Sequence, residues 1–128
     1  NARIIFTGYV EDHDLKVLYS EAIALCYVSF YEGFGLPPLE AMSCRTPVIY
    51  GNNSSMTEIV GEAGLPADAN DFLSIKSQMH RMFFEPELRN KLARLSHHRS
   101  FEFSARKSVY DTLSVYQKII NREKSKNQ

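Results

Sequence analysis

Two glutamates stand on either side of a short glycine-bearing segment, and their types and spacing suit chemistry better than any other residues of the sequence. Glu32 opens the segment and Glu40 closes it, with Gly33 and Gly35 between them. Glycines let the backbone pass close to a ligand and expose its N–H groups. Carboxylates accept hydrogen bonds, so both glutamates can bind hydroxyl groups of one ligand. The pattern therefore predicts a ligand that brings hydroxyls together with an anion.

The segment lies between a predicted strand and a predicted helix, at the carboxyl end of the strand, where open α/β sheets bind ligands. Two prolines, at 37 and 38, suit the first turn of that helix, whose N-terminus attracts anions. Sugar phosphates and nucleotide sugars combine the required groups. The pattern Gly33-x-Gly35 alone is weak, because it lacks the third glycine of the dinucleotide-binding motif. A glycine-bearing turn with surface acids remains the alternative.

The elements that must position this segment alternate between strands and helices. A helix capped by Glu11 or Asp12 separates the first two strands, and a helix over residues 39–44 precedes the third. Continuous apolar runs suit a parallel sheet covered on both faces. The predicted fold class is α/β. The predicted strands cover residues 3–7, 23–28, 47–50 and 64–67.

The second half of the sequence is helical. A capping box, Ser55 with Glu58 three residues on, predicts a short helix that Gly61 ends. One later helix restarts at Pro86, and a last one is capped by Ser104, with a polar, frayed tail after residue 121. A helical apolar stripe, which we expect in the core, precedes them and comprises Phe72, Ile75, Met79, Met82 and Phe83.

The length and composition of the chain indicate a single globular domain. The chain has 128 residues, of which 44% are hydrophobic and 23% charged, so neither disorder nor a fibrous class fits. No apolar run is long enough to cross a membrane. Cys26 and Cys44 form neither a disulfide scaffold nor a metal site by spacing, and we expect Cys26 to be buried. The four histidines show no zinc spacing.

The net charge is zero but unevenly placed. Residues 1–70 carry nine acids and three bases, whereas residues 71–128 carry six acids and twelve bases. A basic half opens the alternative of a nucleic-acid binder. The bases are spread singly, which favours solvated helix faces, so we expect no nucleic-acid partner.

Around the glutamates the sequence resembles the retaining glycosyltransferases of family 4, within the glycosyl transferases group 1. The matching motif runs Ser29-x-x-Glu32-Gly33-Phe34-Gly35-Leu36-Pro37-x-Leu39-Glu40-Ala41-Met42 and continues as Cys44-x-x-Pro47-Val48-Ile49. Further matching stretches lie before it, at residues 6–19, and after it, at 54–64, 85–89 and 103–104. The resemblance covers nearly the whole chain in order.

The resemblance implies a GT-B enzyme with two Rossmann-like lobes. Residues 1–128 would form the later half of the C-terminal, nucleotide-sugar-binding lobe: a Rossmann-like parallel half-domain with C-terminal helices. The N-terminal, acceptor-binding domain would be absent. The start of the sequence has no initiator Met and reads as a strand, so we expect the chain to come from a longer protein.

The resemblance also implies a role for each site residue. Glu32 would be the catalytic residue facing the donor sugar, acting as a positioning and electrostatic group. Glu40 would accept the ribose hydroxyls. Tyr9 and Val10 would lie by the base, through their backbone. The backbone N–H groups expected to contact sugar and phosphate are those of Gly33, Phe34, Gly35 and Leu36.

The implied reaction is transfer of a sugar from a UDP- or GDP-sugar to an acceptor with retention, without a covalent nucleophile, a cofactor or a metal. The acceptor would be a glycan, a lipid-linked molecule or a small molecule. The family draws its phosphate-binding Arg and Lys from earlier in the lobe, so we expect the isolated fragment to be inactive. Arg45 stands where the family usually has Gly, and we expect it to cost roughly 1 kcal/mol in a left-handed turn.

Three further expectations concern partners and place. The predicted strand edge at residues 4–6 would lack its neighbours and favour self-association. The full-length enzyme would be cytoplasmic, or peripheral at the inner face of the membrane. A non-catalytic Rossmann-like binding or interaction module is the alternative function.

Overall fold

The computed structural model describes residues 4–126, with side chains through residue 122. Strands and helices alternate at first, and three helices follow. This confirms the predicted α/β order from residue 12 onward. The elements are α1 (Asp12–Glu21), β1 (Leu25–Tyr27), α2 (Leu36–Ser43), β2 (Val48–Gly51), α3 (Met56–Ile59), a 3₁₀ turn (Gly61–Ala63), β3 (Gly64–Ala67), α4 (Phe72–Phe84), α5 (Pro86–Ser100) and α6 (Ala105–Lys126).

The three strands form one parallel sheet in the order β1-β2-β3. Tyr27 lies opposite Tyr50, and Tyr50 lies opposite Pro66. β2 is central and wholly buried. All three carboxyl ends therefore point to one edge, where the loop after β1 meets the loop after β2.

Helices cover both faces of the sheet, as the continuous apolar runs predicted. Val48 and Tyr50 pack with α2 and α3 in one cluster, which includes Met42 and Met56. Ile49 points the other way, into a second cluster that draws residues from α4 and α5. The period-two alternation of the central strand thus divides the core into two layers.

The predicted strand at the start of the chain is wrong for residues 4–7, which have no regular structure; residue 3 lies outside the described residues. Ile4, Ile5 and Phe6 are largely exposed, Phe6 at 95%. A strand forms only where another strand pairs with its N–H and C=O groups. No described residue supplies that partner, and the expected self-association through residues 4–6 stays a prediction. The edge strands of the described sheet are β1 and β3.

Several local signals are confirmed. Ser104 caps α6, because its Oγ accepts a hydrogen bond from the N–H of Lys107 at 3.1 Å. Pro37 and Pro38 lie in the first turn of α2. Arg45 has φ +63°, the left-handed conformation that the resemblance predicted for this position. α1 starts after Glu11, although the Glu11 side chain makes no capping hydrogen bond.

Other expectations about burial and helix ends are wrong. Cys26 is exposed, because β1 is an edge strand among the described residues. On α4, Met82 is buried but Phe72, Met79 and Phe83 are exposed. α6 continues beyond residue 121 to Lys126. Within the described residues, no helix is both long and apolar enough to cross a membrane.

Candidate functional site

The glycine loop, residues 29–35, connects the end of β1 to the start of α2 at the carboxyl edge of the sheet. Its last residue, Gly35, has φ +113° and is buried. A Cβ at this position would lie 2.2 Å from Cε of Met56, which is itself fully buried. Both the backbone conformation and the packing therefore require glycine here.

Gly33 differs from Gly35 in both respects. It is exposed, its φ is not in the left-handed region, and a Cβ built on it would meet no atom within 4 Å. Nothing in the described fold demands glycine at position 33. The space above this residue is open, so the backbone here is accessible to a ligand.

The loop presents a run of free N–H groups. Among the described residues, the N–H groups of Gly33, Phe34, Gly35 and Leu36 donate to no other residue. Pro37 and Pro38 have no N–H, and the N–H of Leu39 already donates to the carbonyl of Gly35 at 3.3 Å. The N–H groups without a described acceptor at the start of α2 are therefore those of residues 33–36, and their contact with an anion stays a prediction.

A second loop, residues 52–55 after β2, holds the glycine loop through side chains. Ser54 Oγ accepts a hydrogen bond from the N–H of Glu32 at 3.1 Å. Asn53 Nδ2 donates to the carbonyl of Ser29 at 3.0 Å. Ser55 Oγ lies 2.9 Å from the carbonyl oxygens of both Glu32 and Phe34, so its proton is shared between them. These bonds fix the backbone on both sides of Gly33.

The predicted capping box at Ser55 is therefore wrong. Ser55 precedes α3, but its side chain makes no capping bond and its backbone is already helical. Its hydroxyl bonds to the glycine loop instead, because a tertiary acceptor pair lies within reach. The spacing pattern thus selects a residue that does form hydrogen bonds, but with a different partner from the one predicted.

Glu32 is held by a tyrosine. The phenol of Tyr27, the last residue of β1, donates to Oε1 of Glu32 at 2.9 Å. The hydrogen bond to Glu32, together with partial burial and the carboxylate charge, raises the pKa of Tyr27. The phenol therefore keeps its proton, and Oε1 keeps its donor.

Glu40 lies on α2, beside α1. It lines a groove of about 400 Å³ together with Asp12, Lys16 and Tyr19. Burial raises the pKa of Tyr19, and the charge and hydrogen bonding of Glu40 raise it further. The groove thus places one cation, Lys16, near the second glutamate.

The remaining predicted site residues are spread around the loop. The ring of Phe34 meets that of Phe103 edge-on, with centroids 6.4 Å apart. Phe34 and Leu36 line a groove of about 640 Å³ that continues along the start of α6. Tyr9 is 83% exposed, and in the described part of the chain neither Tyr9 nor Val10 contacts the glycine loop through a hydrogen bond or a ring. A shared ligand for these residues stays a prediction.

Sequence reasoning missed the residues that support the loop. Tyr19 falls in the matching stretch at 6–19 and Tyr27 in a predicted strand, while Ser54 belongs to the stretch at 54–64 and Asn53 to no motif. Ser54 and Asn53 bond to residues 22 and 24 positions away, and Tyr27 bonds across the loop to a residue five positions on, so no local spacing pattern indicates these contacts. Among residues 4–126, no group of three or more His, Cys, Asp or Glu side chains lies close enough to hold a metal ion.

The fold defines a class of protein: a Rossmann-like half-domain of the GT-B type, with the glycine loop at the carboxyl ends of its strands. The chain belongs to the family described as glycosyl transferases group 1, which matches residues 1–98. The resemblance seen in the sequence is confirmed at this level.

Individual relatives agree with this assignment. The O-antigen chain mannosyltransferase B of Escherichia coli is 41% identical over 113 residues, or 88% of this chain and 30% of that protein. The MMP alpha-(1->4)-mannosyltransferase of Mycolicibacterium hassiacum is 31% identical over 120 residues, or 88% of this chain and 28% of that protein. The chain thus spans just under a third of the length of these relatives.

A solved structure shows the same fold. The sucrose-phosphate synthase of Thermosynechococcus elongatus superposes with a TM-score of 0.80 at 28% sequence identity, covering 94% of this chain and 31% of that chain. The fold class is therefore confirmed as the α/β half-domain of a GT-B glycosyltransferase.

Proposed function

We propose that residues 1–128 bind the nucleotide-sugar donor of a retaining, family 4 glycosyltransferase, as part of its C-terminal domain. The observation that carries the proposal is the run of N–H groups at residues 33–36, which donate to no described residue and lie between Glu32, held by Tyr27, and Glu40. A donor of this class offers phosphate oxygens to N–H groups and sugar hydroxyls to carboxylates. Each such charge-assisted hydrogen bond contributes roughly 1.5–3 kcal/mol.

In this proposal the donor lies along the glycine loop. Its phosphate oxygens accept hydrogen bonds from the N–H groups of residues 33–36, and its sugar hydroxyls contact the same backbone. The open space at Gly33 leaves room for this approach. Glu32 accepts from the hydroxyls of the transferred sugar, and Glu40 from those of the ribose. Tyr9 and Val10 lie by the base and contact it largely through their backbone.

The proposed reaction needs neither a covalent nucleophile from this chain nor a bound metal or cofactor. Glu32 orients the sugar and stabilises charge at its reacting carbon, while the leaving phosphate assists attack from the same face. Cations from the rest of the lobe complete the phosphate site. The purified 128-residue chain is accordingly expected to transfer no sugar, and detectable transfer by it would contradict this point.

Mannose is the sugar that we propose for the donor, because several relatives are mannosyltransferases by name, including one that acts on the O-antigen chain. The acceptor is then a growing glycan, bound by an N-terminal domain of the complete protein. A cytoplasmic enzyme at the inner face of the membrane fits such an acceptor.

The test is sugar transfer by the complete gene product with UDP-, GDP- and ADP-linked mannose. We expect one nucleotide to support transfer, and Glu32→Gln and Glu40→Gln each to lower kcat/KM by at least about 100-fold. Glu87→Gln, an exposed acid on α5, is the matched control and should change nothing. Donor binding without transfer would identify a non-catalytic binding module instead, and no donor binding would refute the proposal.

A further inference from the structure

The two glutamates of the site share a feature that the motif does not contain: each is paired with a tyrosine from a neighbouring element. Tyr27 at the end of β1 donates to Oε1 of Glu32 at 2.9 Å. Tyr19 on α1 and Glu40 on α2 line the same groove. Burial there, followed by the charge and hydrogen bonding of Glu40, raises the pKa of Tyr19. The glutamates are eight residues apart, but their tyrosines come from different secondary-structure elements.

Both tyrosines pack against the same part of the hydrophobic core. Their rings pack against the cluster built around Met42 and Met56. The carbonyl of Tyr19 also accepts a hydrogen bond at 2.5 Å from the buried Thr46, which fixes the end of α1 to the loop before β2.

Holding a glutamate in place matters because its side chain is flexible. An unrestrained Glu loses side-chain conformational entropy when a ligand fixes it. A small displacement of a substrate-positioning group is also costly to rate. A hydrogen bond from a phenol on the rigid core removes part of this loss before the ligand arrives.

The hydrogen bond at Glu32 also gives its two carboxylate oxygens different roles. Oε1 accepts from Tyr27, whereas Oε2 accepts from no donor among the described residues. One oxygen is therefore anchored and the other is left for a ligand.

We propose that Tyr27 and Tyr19 are positioning residues for the two glutamates, Tyr27 directing Glu32 to the transferred sugar and Tyr19 directing Glu40 to the nucleotide. This rests on the proposed function, since it takes the ligand to be a nucleotide sugar. It goes beyond that function because it assigns two further residues and separates their effects. Tyr27 acts on the sugar-transfer step, and Tyr19 on nucleotide affinity.

The test uses the complete gene product and removes only the hydroxyls, with Tyr27→Phe and Tyr19→Phe. The probes are steady-state transfer from the active nucleotide-mannose and calorimetric binding of the matching nucleoside diphosphate. We expect Tyr27→Phe to lower kcat about tenfold with the Kd of the nucleoside diphosphate unchanged within about twofold. Tyr19→Phe should raise that Kd about five- to tenfold with a smaller change in kcat.

The matched control is Tyr50→Phe. Tyr50 also packs in the core, and its hydroxyl donates to the carbonyl of Gly61 at 3.0 Å, away from both glutamates. Its variant should lower Tm but leave kcat and Kd unchanged. If all three variants lower Tm and alter kcat and Kd in parallel, the tyrosines are merely structural and the proposal is wrong.

Glu32→Gln and Glu40→Gln, measured in parallel, separate the two levels of the account. If both glutamine variants lose activity while both phenylalanine variants behave as the unmodified protein, the positioning proposal fails and the proposed function stands. If the glutamine variants also keep full activity and donor affinity, the proposed function itself fails.

Discussion

Gly35 lies so close to Met56 that a single added carbon at its Cα would stand 2.2 Å from the Cε of that methionine. The contact joins the end of the glycine loop to the first turn of α3. It fixes the entry of α2 against the core, and it separates the role of Gly35 from that of Gly33, which meets nothing. The same motif therefore contains one glycine required by folding and one left open to a ligand.

The two glycines should respond oppositely to alanine. Gly35→Ala combines a left-handed backbone with overpacking against a buried side chain, and we expect it to reduce the free energy of unfolding by about 2–4 kcal/mol. Gly33→Ala should change it by less than about 0.5 kcal/mol but weaken donor binding, because the new methyl group occupies the open space. Urea unfolding and donor titration of both variants check this. Equal destabilisation would contradict it.

The shared hydrogen bond of Ser55 predicts a loop-specific effect. Ser55→Ala leaves the carbonyls of Glu32 and Phe34 without this donor, and we expect a loss of stability of about 1 kcal/mol. Amide exchange should rise at Glu32, whose N–H donates to Ser54 Oγ, and stay unchanged in α5. Thr57→Ala is the control, since its hydroxyl donates only locally, to the carbonyl of Ser54. Uniform change across the chain would show that Ser55 does not hold the loop.

Arg99 connects α5 to the end of α3. Its Nε donates to the carbonyl of Ile59 at 2.7 Å, its Nη2 donates to the carbonyl of Glu58, and its guanidinium lies over the ring of Phe103. Arg99→Met keeps the aliphatic stem but leaves those carbonyls unpaired, so we expect a loss of about 1–3 kcal/mol in thermal or urea unfolding. Arg94→Met, exposed on the same helix, should be neutral. Similar values for the two variants would contradict the assignment.

The buried phenol of Tyr50 predicts a stability limit at high pH. Burial raises the pKa of Tyr50 above 10.0, its ordinary value. The unfolded chain therefore loses this proton at a lower pH than the folded chain. The contribution of the Tyr50 phenol to the free energy of unfolding is complete below about pH 10 and declines as pH rises through the folded-state pKa. Urea midpoints measured from about pH 8 to about pH 11 should fall less steeply for Tyr50→Phe. Identical slopes would show that Tyr50 does not titrate between these states.

Much of the fold could be predicted because its signals are local. The apolar runs of β1 and β2, the prolines of α2 and the serine cap of α6 all act within a few residues. The left-handed conformation of Arg45 was likewise predicted, from the glycine that the resemblance implies at this position. Such patterns depend on backbone sterics and burial, which nearby sequence determines.

The rest depends on partners that sequence spacing does not indicate. Residues 4–7 have strand-like composition but no described neighbour to pair with, so they form no strand. Ser55 has the spacing of a cap, yet bonds to a loop more than twenty positions earlier. The tyrosine partners of Glu32 and Glu40 are tertiary contacts of the same kind. The glutamates themselves were found because the motif is contiguous.

The most direct measurement of the central claim is hydrogen–deuterium exchange of the complete gene product with and without nucleotide-linked mannose. The N–H groups of residues 33–36 are free in the described structure, so they should exchange fast without donor and slow markedly with it. The account predicts protection in the peptide covering residues 32–40, none in α5, and loss of that protection in Glu40→Ala. Donor binding that leaves residues 32–40 unprotected would contradict it.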